Sequence, residues 1–489
     1  MKKKTVIFYT AITLIFFGML IKLEYATDTY SVFNFSGEEI YTHFAGLGRF
    51  VSAVIGKFVK SVNMPENIIY IFSYLLAIIC AILSQYKLNK IIEKDVESRL
   101  FQVLIPTLII LNPFSMELFL FIEKGIMWFG ILMCILALEN LIKYWNIREN
   151  DDKATKEIFF NKYLIFSVLF MFISNCCYQG VVGIFVAISL VYITKYSINI
   201  KKFVLNNIIV GVIYAIPASL DFILMKLLFK ANRVNGEIVL SKSIEKIYSN
   251  TINLFKYMYN LLPKYVFILA ILFTFAVFCY KIWKDKNKII EIFKFVYIIL
   301  GVTLIAVLPQ IMQSTEAIWF MPRSTYCFAS LYGILILYLF MNYNMENISK
   351  TVILCISIIL IFLQLKSFIK IEKDRYLLNN QDYQISMQII DKINKYEEET
   401  ENKIDKIEVY QDSSLKYTYD DIFVTGDMNI KAYSSDWSTV AILNYYLKRN
   451  LKLIKQQEYE KQKFLEKNWD EFSEEQIMFK DDILILCNY

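Results

Sequence analysis

Acidic residues and an arginine follow the first apolar run of the chain. The acids are Asp28, Glu38 and Glu39, and the arginine is Arg49. A carboxylate can take a proton from an attacking hydroxyl group, and a guanidinium can hold a phosphate leaving group through two parallel hydrogen bonds. Solvated loop charges would look the same in this segment alone. Asp28, Glu38 and Glu39 are therefore candidate catalytic bases, and Arg49 is a candidate phosphate ligand.

A second group of charges occurs between two later apolar runs. Glu117, Glu123 and Lys124 stand among hydrophobic residues here. A charge at the centre of a membrane helix costs about 2.5–3.5 kcal/mol, so such residues are usually kept for a function. The alternative is that these side chains lie above the lipid and snorkel to water. On the functional interpretation, Lys124 is a candidate phosphate ligand and Glu123 a candidate ligand of a sugar or acceptor.

A short polar turn separates two further apolar runs and contains Tyr178 and Gln179. Their side chains can exchange hydrogen bonds with the hydroxyl groups of a sugar. The structural alternative is a helix–turn–helix corner that is capped by Asn175 and Gly180. Tyr178 and Gln179 are therefore candidate sugar- or acceptor-binding residues.

Charged residues also occur near the ends of later apolar runs. Asp221 and Lys226 follow Pro217 in a run that is too long for one straight span, which predicts a kink with polar groups near one face of the membrane. An ion pair that stabilises the helix end explains the two charges equally well. Arg323, in a Met-Pro-Arg segment, ends another span and is a second candidate ligand for a lipid phosphate.

Residue types that many enzymes need are scarce or scattered. His43 is the only histidine, and the eight cysteines form no CxxC pair. This argues against a zinc site and a Cys/His nucleophile, so we predict no metal. The chain also has no P-loop and no glycine-rich dinucleotide turn. Its net charge of +6 comes from lysines distributed among loops, so we expect no nucleic-acid partner.

The composition is that of a polytopic membrane protein. Hydrophobic residues make up 56% of the 489 residues and charged residues 20%, whereas ordinary soluble domains are about 45–50% apolar and about 25% charged. The apolar runs are long enough for helices and too long for barrel strands. We predict about eleven transmembrane spans. They lie near residues 5–21, 66–86, 101–118, 125–143, 162–175, 178–194, 204–229, 264–281, 289–311, 324–342 and 351–368.

Basic residues predict the orientation of these spans. Basic loops are usually cytoplasmic, and every second loop of this chain is the basic one. With an odd number of spans, the N-terminus is expected inside and the C-terminal region outside the cytoplasmic membrane. The basic clusters lie near residues 2–4, 87–99, 143–156, 195–202 and 281–288.

The composition changes after residue 368. Residues 370–400 have the pattern of a charged amphipathic helix, and three short segments have the pattern of strands. We therefore predict a transmembrane catalytic domain at 1–368 and a small extracytoplasmic α/β domain at 369–489. In the first outer loop, residues 44–59 have the pattern of one amphipathic helix that would hold Arg49 at head-group depth. The predicted strands are residues 407–410, 422–424 and 483–486.

Several short motifs together resemble one known family, the bacterial O-antigen glucosyltransferase II type. The resemblance spans nearly the whole chain, and the order of the motifs carries more weight than any one of them. The motifs are Asp28-Thr-Tyr, Gly48-Arg49-Phe50, Asn112-Pro-Phe, Cys177-Tyr178-Gln179-Gly180, Pro322-Arg323, Ser435-Asp436-Trp437-Ser438 and Asp482-Ile-Leu-Ile-Leu-Cys.

This resemblance implies a GT-C-like membrane glycosyltransferase. Such an enzyme has many transmembrane helices, a catalytic carboxylate in its first outer loop and a polyprenyl-phosphate sugar as donor. It needs no separate cofactor, because the lipid-linked sugar is a substrate. Many relatives carry two adjacent acids near the position of Asp28, whereas here Thr29 follows it. Asp28 is the favoured base, and Glu38 or Glu39 is the alternative.

The resulting hypothesis is transfer of a hexose, and of glucose in particular, from polyprenyl phosphate to a cell-envelope glycan on the outer face of the cytoplasmic membrane. Flippase and donor-synthesising membrane proteins are the expected partners. One alternative is a non-catalytic transporter or flippase, which would need charged residues in the middle of several spans. Another is an envelope-polysaccharide polymerase.

Overall fold

The computed structural model is mostly α-helical and contains one small sheet. Its contacts divide the chain into two compact units. The membrane unit comprises Met1–Ile21, Gly37–Phe119 and Glu123–Phe368, and the sheet unit comprises Lys22–Ser36, Leu120–Ile122 and Ile369–Tyr489. The structure describes residues 3–150, 161–229, 237, 239–283, 288–310, 313–411, 415–420, 422, 428–456, 464 and 471–488.

The membrane unit is built from helices, most of them long and apolar. They are α1 (Lys3–Phe17), α3 (Gly37–Gly46), α4 (Phe50–Ser61), α5 (Glu66–Ile92), α6 (Arg99–Ile110), α7 (Ser115–Leu118), α8 (Lys124–Asn150), α9 (Lys162–Cys177), α10 (Gly183–Tyr196), α11 (Ile200–Leu228), α12 (Leu240–Tyr257), α13 (Lys264–Ile282), α14 (Lys288–Val307), α15 (Leu331–Asn342) and the first part of α16 (Asn347–Thr400).

The predicted polytopic membrane fold is confirmed. Among the described residues, eight helices are long and apolar enough to cross a membrane. Three shorter apolar helices overlap the remaining predicted spans; they are Arg99–Ile110, Lys162–Cys177 and Tyr326–Asn342. The span predicted at 101–118 is too long, because its helix ends at Ile110. Helix α5 shows the expected two faces, because Phe72 is 63% exposed while Ala81 is fully buried. An apolar face of this kind is stable when lipid covers it.

Several polar side chains between the spans form hydrogen bonds with neighbouring helices. Gln85 on α5 donates to the Thr13 hydroxyl on α1 at 3.0 Å, and the Thr107 hydroxyl on α6 donates to Gln85 Oε1 at 3.3 Å. The hydroxyl groups of Tyr70 and Tyr74 donate to carbonyl groups near the end of α1. Such bonds hold transmembrane helices together because lipid offers no competing partner.

The single helix predicted at residues 44–59 is wrong. Residues 44–59 form no continuous helix, because α3 ends at Gly46 and α4 begins at Phe50. Gly48 lies between them with φ +73°, in the left-handed region that favours glycine. Its N–H donates to Ala45 O at 3.0 Å and that of Arg49 to Phe44 O at 2.9 Å, which closes the end of α3. The reversal places Arg49 at a corner instead of on a helix face.

The sheet unit has the predicted mixture of helix and strand. It contains α2 (Thr27–Asn34), the rest of α16, α17 (Asp436–Leu447) and the strands β1 (Lys406–Gln411), β2 (Lys452–Leu453), β3 (Ile477–Lys480) and β4 (Ile483–Asn488). The sheet order is β2-β1-β4-β3, with β1 parallel to both neighbours and β3 antiparallel to β4. The strands predicted at 407–410 and 483–486 are confirmed, whereas residues 423 and 424 lie outside the described residues.

Helix α16 joins the last span to the amphipathic segment that follows it. The sequence pattern predicts two elements, a span at 351–368 and a charged helix at 370–400, and the structure has one helix of 54 residues. No glycine or proline occurs between Asn347 and Thr400, so nothing in the sequence ends the helix where its composition changes.

The segment that carries Asp28 packs within the sheet unit. Tyr25 N–H donates to Asn379 Oδ1 on α16 at 2.8 Å, and Asn34 Nδ2 donates to Ala441 O on α17 at 2.7 Å. The rings of Tyr30 and Tyr445 meet edge to face, with their centroids 5.3 Å apart. Helix α2 is therefore an anchored element, and its position depends on residues about 400 positions later in the chain.

A buried carboxylate ties the loop after β1 to α16. Asp382 is 1% exposed and accepts hydrogen bonds from the Tyr419 hydroxyl at 2.7 Å and from Ala432 N–H at 3.1 Å. We expect Asp382→Ala to destabilise the sheet unit by about 2–4 kcal/mol, because two buried donors lose their acceptor. The midpoint temperature for protease cleavage of the purified full-length protein measures the change. Asp391→Ala, at an exposed position of the same helix, should be neutral, and equal midpoints for both variants would contradict this account.

Candidate active site

Arg49 lies immediately before α4 and is almost completely buried. Its Nη1 is 2.7 Å from Glu123 Oε1, and its guanidinium lies 4.7 Å from the centre of the Tyr178 ring. An ion pair and a cation–π contact thus fix the side chain from two directions. Arg49 Nε is buried and has no hydrogen-bond partner among the described residues. The contacts join three residues that sequence analysis selects separately.

Glu123 and Lys124 open helix α8 inside the membrane unit. Lys124 is fully buried, and its ammonium lies 3.5 Å from the centre of the Tyr70 ring on α5. The next N–H, of Gly125, donates to Ser73 Oγ at 3.0 Å. The alternative that these charges snorkel to water is therefore wrong, because Glu117, Glu123 and Lys124 are all buried within the protein.

Arg323 is partly buried and forms a second ion pair, with Glu117. Its backbone N–H donates to Glu117 Oε2 at 2.6 Å, and its Nη1 donates to Glu117 Oε1 at 2.8 Å. Glu117 is fully buried. The two hydrogen bonds hold both the main chain and the side chain of Arg323, which fixes the direction of the guanidinium.

The segment after Arg323 is docked against the Asn112 turn. Tyr326 donates its hydroxyl to Ile110 O at 2.6 Å, and Asn112 Nδ2 donates to Ser330 Oγ at 2.9 Å. Asn112 also accepts from Phe114 N–H at 2.9 Å, which shapes the turn. Two motifs that lie about 200 residues apart in the sequence are thus held together by hydrogen bonds.

The turn of Tyr178 and Gln179 lies between the two arginines. Tyr178 has extended dihedral angles and ends α9, and its ring stacks on Arg49. A Cβ atom at Gly180 would lie 2.6 Å from Arg323 O, so only glycine allows the main chains to approach this closely. The helix–turn–helix corner is real, but it also brings Tyr178 and Gln179 to the charged pairs.

Asp221 belongs to this group of contacts, although sequence analysis names it only as a polar group near a kink and assigns it no binding role. Its Oδ2 accepts a hydrogen bond from Gln179 Nε2 at 2.8 Å, and it is 2% exposed. The alternative of an ion pair with Lys226 is wrong, because the partner of Asp221 is Gln179. A Cβ atom at Gly48 would lie 2.3 Å from Gln179 Nε2 and 2.8 Å from Asp221 Oδ2. The sequence feature that could identify Asp221 as a site residue is an acid inside an apolar span, after Pro217.

The predicted bases are exposed. Asp28 is in the first turn of α2, in the sheet unit. Glu38 and Glu39 begin α3, and Glu38 pairs with Lys57 at 2.6 Å. Their catalytic roles stay predictions. Among the described residues, no group of three or more His, Cys, Asp or Glu side chains could hold a metal ion.

The fold and these contacts define a polytopic membrane protein with two arginine–glutamate pairs, whose glutamates are buried, beside a hydrogen-bonding turn. A family model described as glucosyl transferase GtrII matches residues 16–340, more than half of the chain and all of the site residues named above. The chain therefore belongs to the GtrII glucosyl transferase family, which confirms the resemblance found in its motifs. No curated protein and no solved structure matches it.

Gly48 gives a direct test of this geometry. Alanine at a left-handed φ costs about 1–3 kcal/mol, and its Cβ atom would also collide with Gln179 and Asp221. We expect Gly48→Ala to abolish glucosyl transfer, measured as incorporation of glucose in membranes that contain the variant. Gly46→Ala is the matched control, because a Cβ atom there meets nothing within 4 Å. Full activity of Gly48→Ala would show that the corner does not position the site.

Proposed function

We propose that this glucosyl transferase takes glucose from a polyprenyl-phosphate carrier and transfers it to a hydroxyl group of a cell-envelope glycan. The observation that carries the proposal is the presence of two arginines, the buried Arg49 and the partly buried Arg323, each paired with a buried glutamate. A lipid-linked donor presents its phosphate at head-group depth, where the effective dielectric constant is below that of water and each cation acts more strongly. The chain has no glycine-rich phosphate loop for a nucleotide-sugar donor.

The proposed reaction is a direct displacement at the anomeric carbon of glucose. The acceptor oxygen forms a bond to C1 while the bond from C1 to the phosphate oxygen breaks, which inverts the configuration. The acceptor proton passes to a carboxylate, which we assign to Asp28, with Glu38 and Glu39 as alternatives. The electron pair of the broken bond leaves on polyprenyl phosphate, whose charge the arginines stabilise.

The surroundings of Arg49 prepare it for this role. Glu123 and Tyr178 already hold the guanidinium in one orientation, so little conformational entropy remains to be lost when a phosphate binds. Arg49 Nε is a buried donor for which a phosphate oxygen is a fitting acceptor. On this proposal Glu123 positions Arg49, and contact of Glu123 with the sugar or acceptor stays a separate prediction.

The remaining site residues have supporting roles in the proposal. Arg323 is the second phosphate ligand, and Lys124 adds a third cation next to Glu123 in the chain. Tyr178 and Gln179 bind hydroxyl groups of the sugar. The family assignment favours such a transferase over a transporter.

The same proposal sets the location and the partners of the enzyme. We place it in the cytoplasmic membrane with a GT-C-like fold, its N-terminus inside and residues 369–489 outside. The donor is then used on the outer face, so other membrane proteins must make the lipid-linked glucose and move it across the bilayer. No cofactor and no nucleic acid take part.

Substitution of the arginines by lysine tests the phosphate-binding assignment. Arg49→Lys and Arg323→Lys keep the charge and lose the planar fork that contacts a carboxylate and a phosphate together. We expect each variant to lower kcat/KM for glucosyl transfer by about 100-fold, as when one donor to a transition state is removed. The assay uses purified protein in nanodiscs with radiolabelled undecaprenyl-phosphate glucose.

Arg148→Lys is the matched control for this experiment. Arg148 binds Asn206 at 3.0 Å and lies on α8 about 36 Å along the helix from Lys124. Its replacement should leave kcat/KM within about 3-fold of the wild-type value. Activity of Arg49→Lys and Arg323→Lys equal to that of Arg148→Lys would exclude a bidentate role for the two arginines.

Asp28→Asn tests the assignment of the base. The change keeps the shape of the side chain but removes its ability to accept a proton, so transfer should be abolished while the amount of protein in the membrane is unchanged. Mass spectrometry of the envelope glycan would show loss of one hexose. Asp391→Asn, at an exposed aspartate on α16, should keep the hexose. An unaltered glycan in Asp28→Asn cells would move the base to Glu38 or Glu39.

A further inference from the structure

A buried carboxylate inside an apolar helix needs a reason to remain there. Asp221 lies in α11, one of the helices that can cross a membrane, and it is 2% exposed. A charge in such a position is unfavourable and is usually kept for a function. The basic residue nearest along the helix, Lys226, lies over the Phe222 ring instead of pairing with Asp221.

The two oxygens of Asp221 have different surroundings. Oδ2 accepts a hydrogen bond from Gln179 Nε2, whose second contact is with Leu47 O at 3.2 Å. Oδ1 is buried and has no hydrogen-bond partner among the described residues. Gln179 therefore fixes the carboxylate and leaves one acceptor that is shielded from water. A buried acceptor without a partner is unfavourable, and a ligand that supplies a donor removes this cost.

The position of Asp221 connects it to the phosphate ligands. Its partner Gln179 follows Tyr178, which stacks on Arg49. The Gly48 corner, which orients Arg49, packs against both Gln179 and Asp221. The Gly48 corner is thus followed by a cation with an open donor, Arg49 Nε, and packs against a carboxylate with an open acceptor, Asp221 Oδ1.

We propose that Asp221, positioned by Gln179, accepts a hydrogen bond from a hydroxyl group of the transferred sugar and so selects which sugar is transferred. The inference rests on the proposed function, because it places the sugar of a lipid-linked donor next to its phosphate ligands. A hydroxyl group fits the open oxygen because it is a neutral donor, whereas a phosphate is an anion and an acceptor. A site built to bind one hydroxyl strongly rejects an analogue that lacks it.

The test compares donors and variants in one assay. Purified protein in nanodiscs receives undecaprenyl-phosphate glucose or one of its 2-, 3-, 4- and 6-deoxy analogues, with envelope glycan from cells that lack the protein as acceptor. Wild-type protein should use one deoxy donor about 10- to 100-fold less well than glucose, the range expected for a hydrogen bond to a charged group. With the glucose donor, Asp221→Asn should be less active than the wild-type protein by a similar factor. With that deoxy donor, Asp221→Asn and the wild-type protein should be equally active.

Two further variants support the comparison. Gln179→Ala frees Asp221 to rotate, so it should weaken discrimination at the same hydroxyl even if Asp221→Asn fails to fold. Glu139→Gln is the control. Glu139 lies on α8, about 22 Å along the helix from Lys124, and accepts hydrogen bonds from Lys87 and Lys143. It should discriminate among the donors as the wild-type protein does.

The outcomes separate the two proposals. No transfer from any lipid-linked donor by wild-type protein would overturn the proposed function and this inference with it. Normal transfer with all deoxy donors used within about 3-fold of glucose would overturn the inference alone. If Asp221→Asn lowered kcat by the same factor with every donor and left KM unchanged, Asp221 would be assigned to catalysis and the selective role would be excluded.

Discussion

A charge that is buried in a membrane protein is costly unless a partner that is buried with it stabilises it. The site of this protein is organised by that constraint. Glu117 and Glu123 both lie in the short stretch between α6 and α8. Glu123 binds Arg49 and Glu117 binds Arg323, so each acid pairs with an arginine from a distant part of the chain. The two acids therefore set the positions of both cations, and the turns around them follow from the need to bring each guanidinium to its carboxylate.

Backbone chemistry makes these meetings possible. Gly48 reverses the chain at a left-handed φ so that Arg49 reaches a corner, and Gly180 lets the Tyr178 turn approach the main chain of Arg323. The arginines are thereby held in fixed directions, with aromatic and amide groups between them. Such preorganised cations suit a reaction in which negative charge develops on a leaving phosphate, because the protein need not rearrange when that charge appears.

Much of the fold could be predicted from the sequence, because membrane spans are long apolar runs and the composition changes sharply after residue 368. The candidate site residues could also be selected from the sequence, since charges near apolar runs are conspicuous, and their roles stay predictions. Their partners could not be predicted. No periodicity shows that Arg49 binds Glu123, that Asp221 turns to Gln179 instead of Lys226, or that α2 belongs with α17. The break at Gly48 was missed because the apolar period continues across it while one glycine changes the direction of the chain.

The most direct test of the account concerns the donor. Purified protein in proteoliposomes is given radiolabelled glucose either as undecaprenyl-phosphate glucose or as UDP-glucose, with envelope glycan from cells that lack the protein as acceptor. The account predicts that label passes to the glycan from the lipid-linked donor and not from the nucleotide. Transfer from UDP-glucose, or none from the lipid, would contradict it.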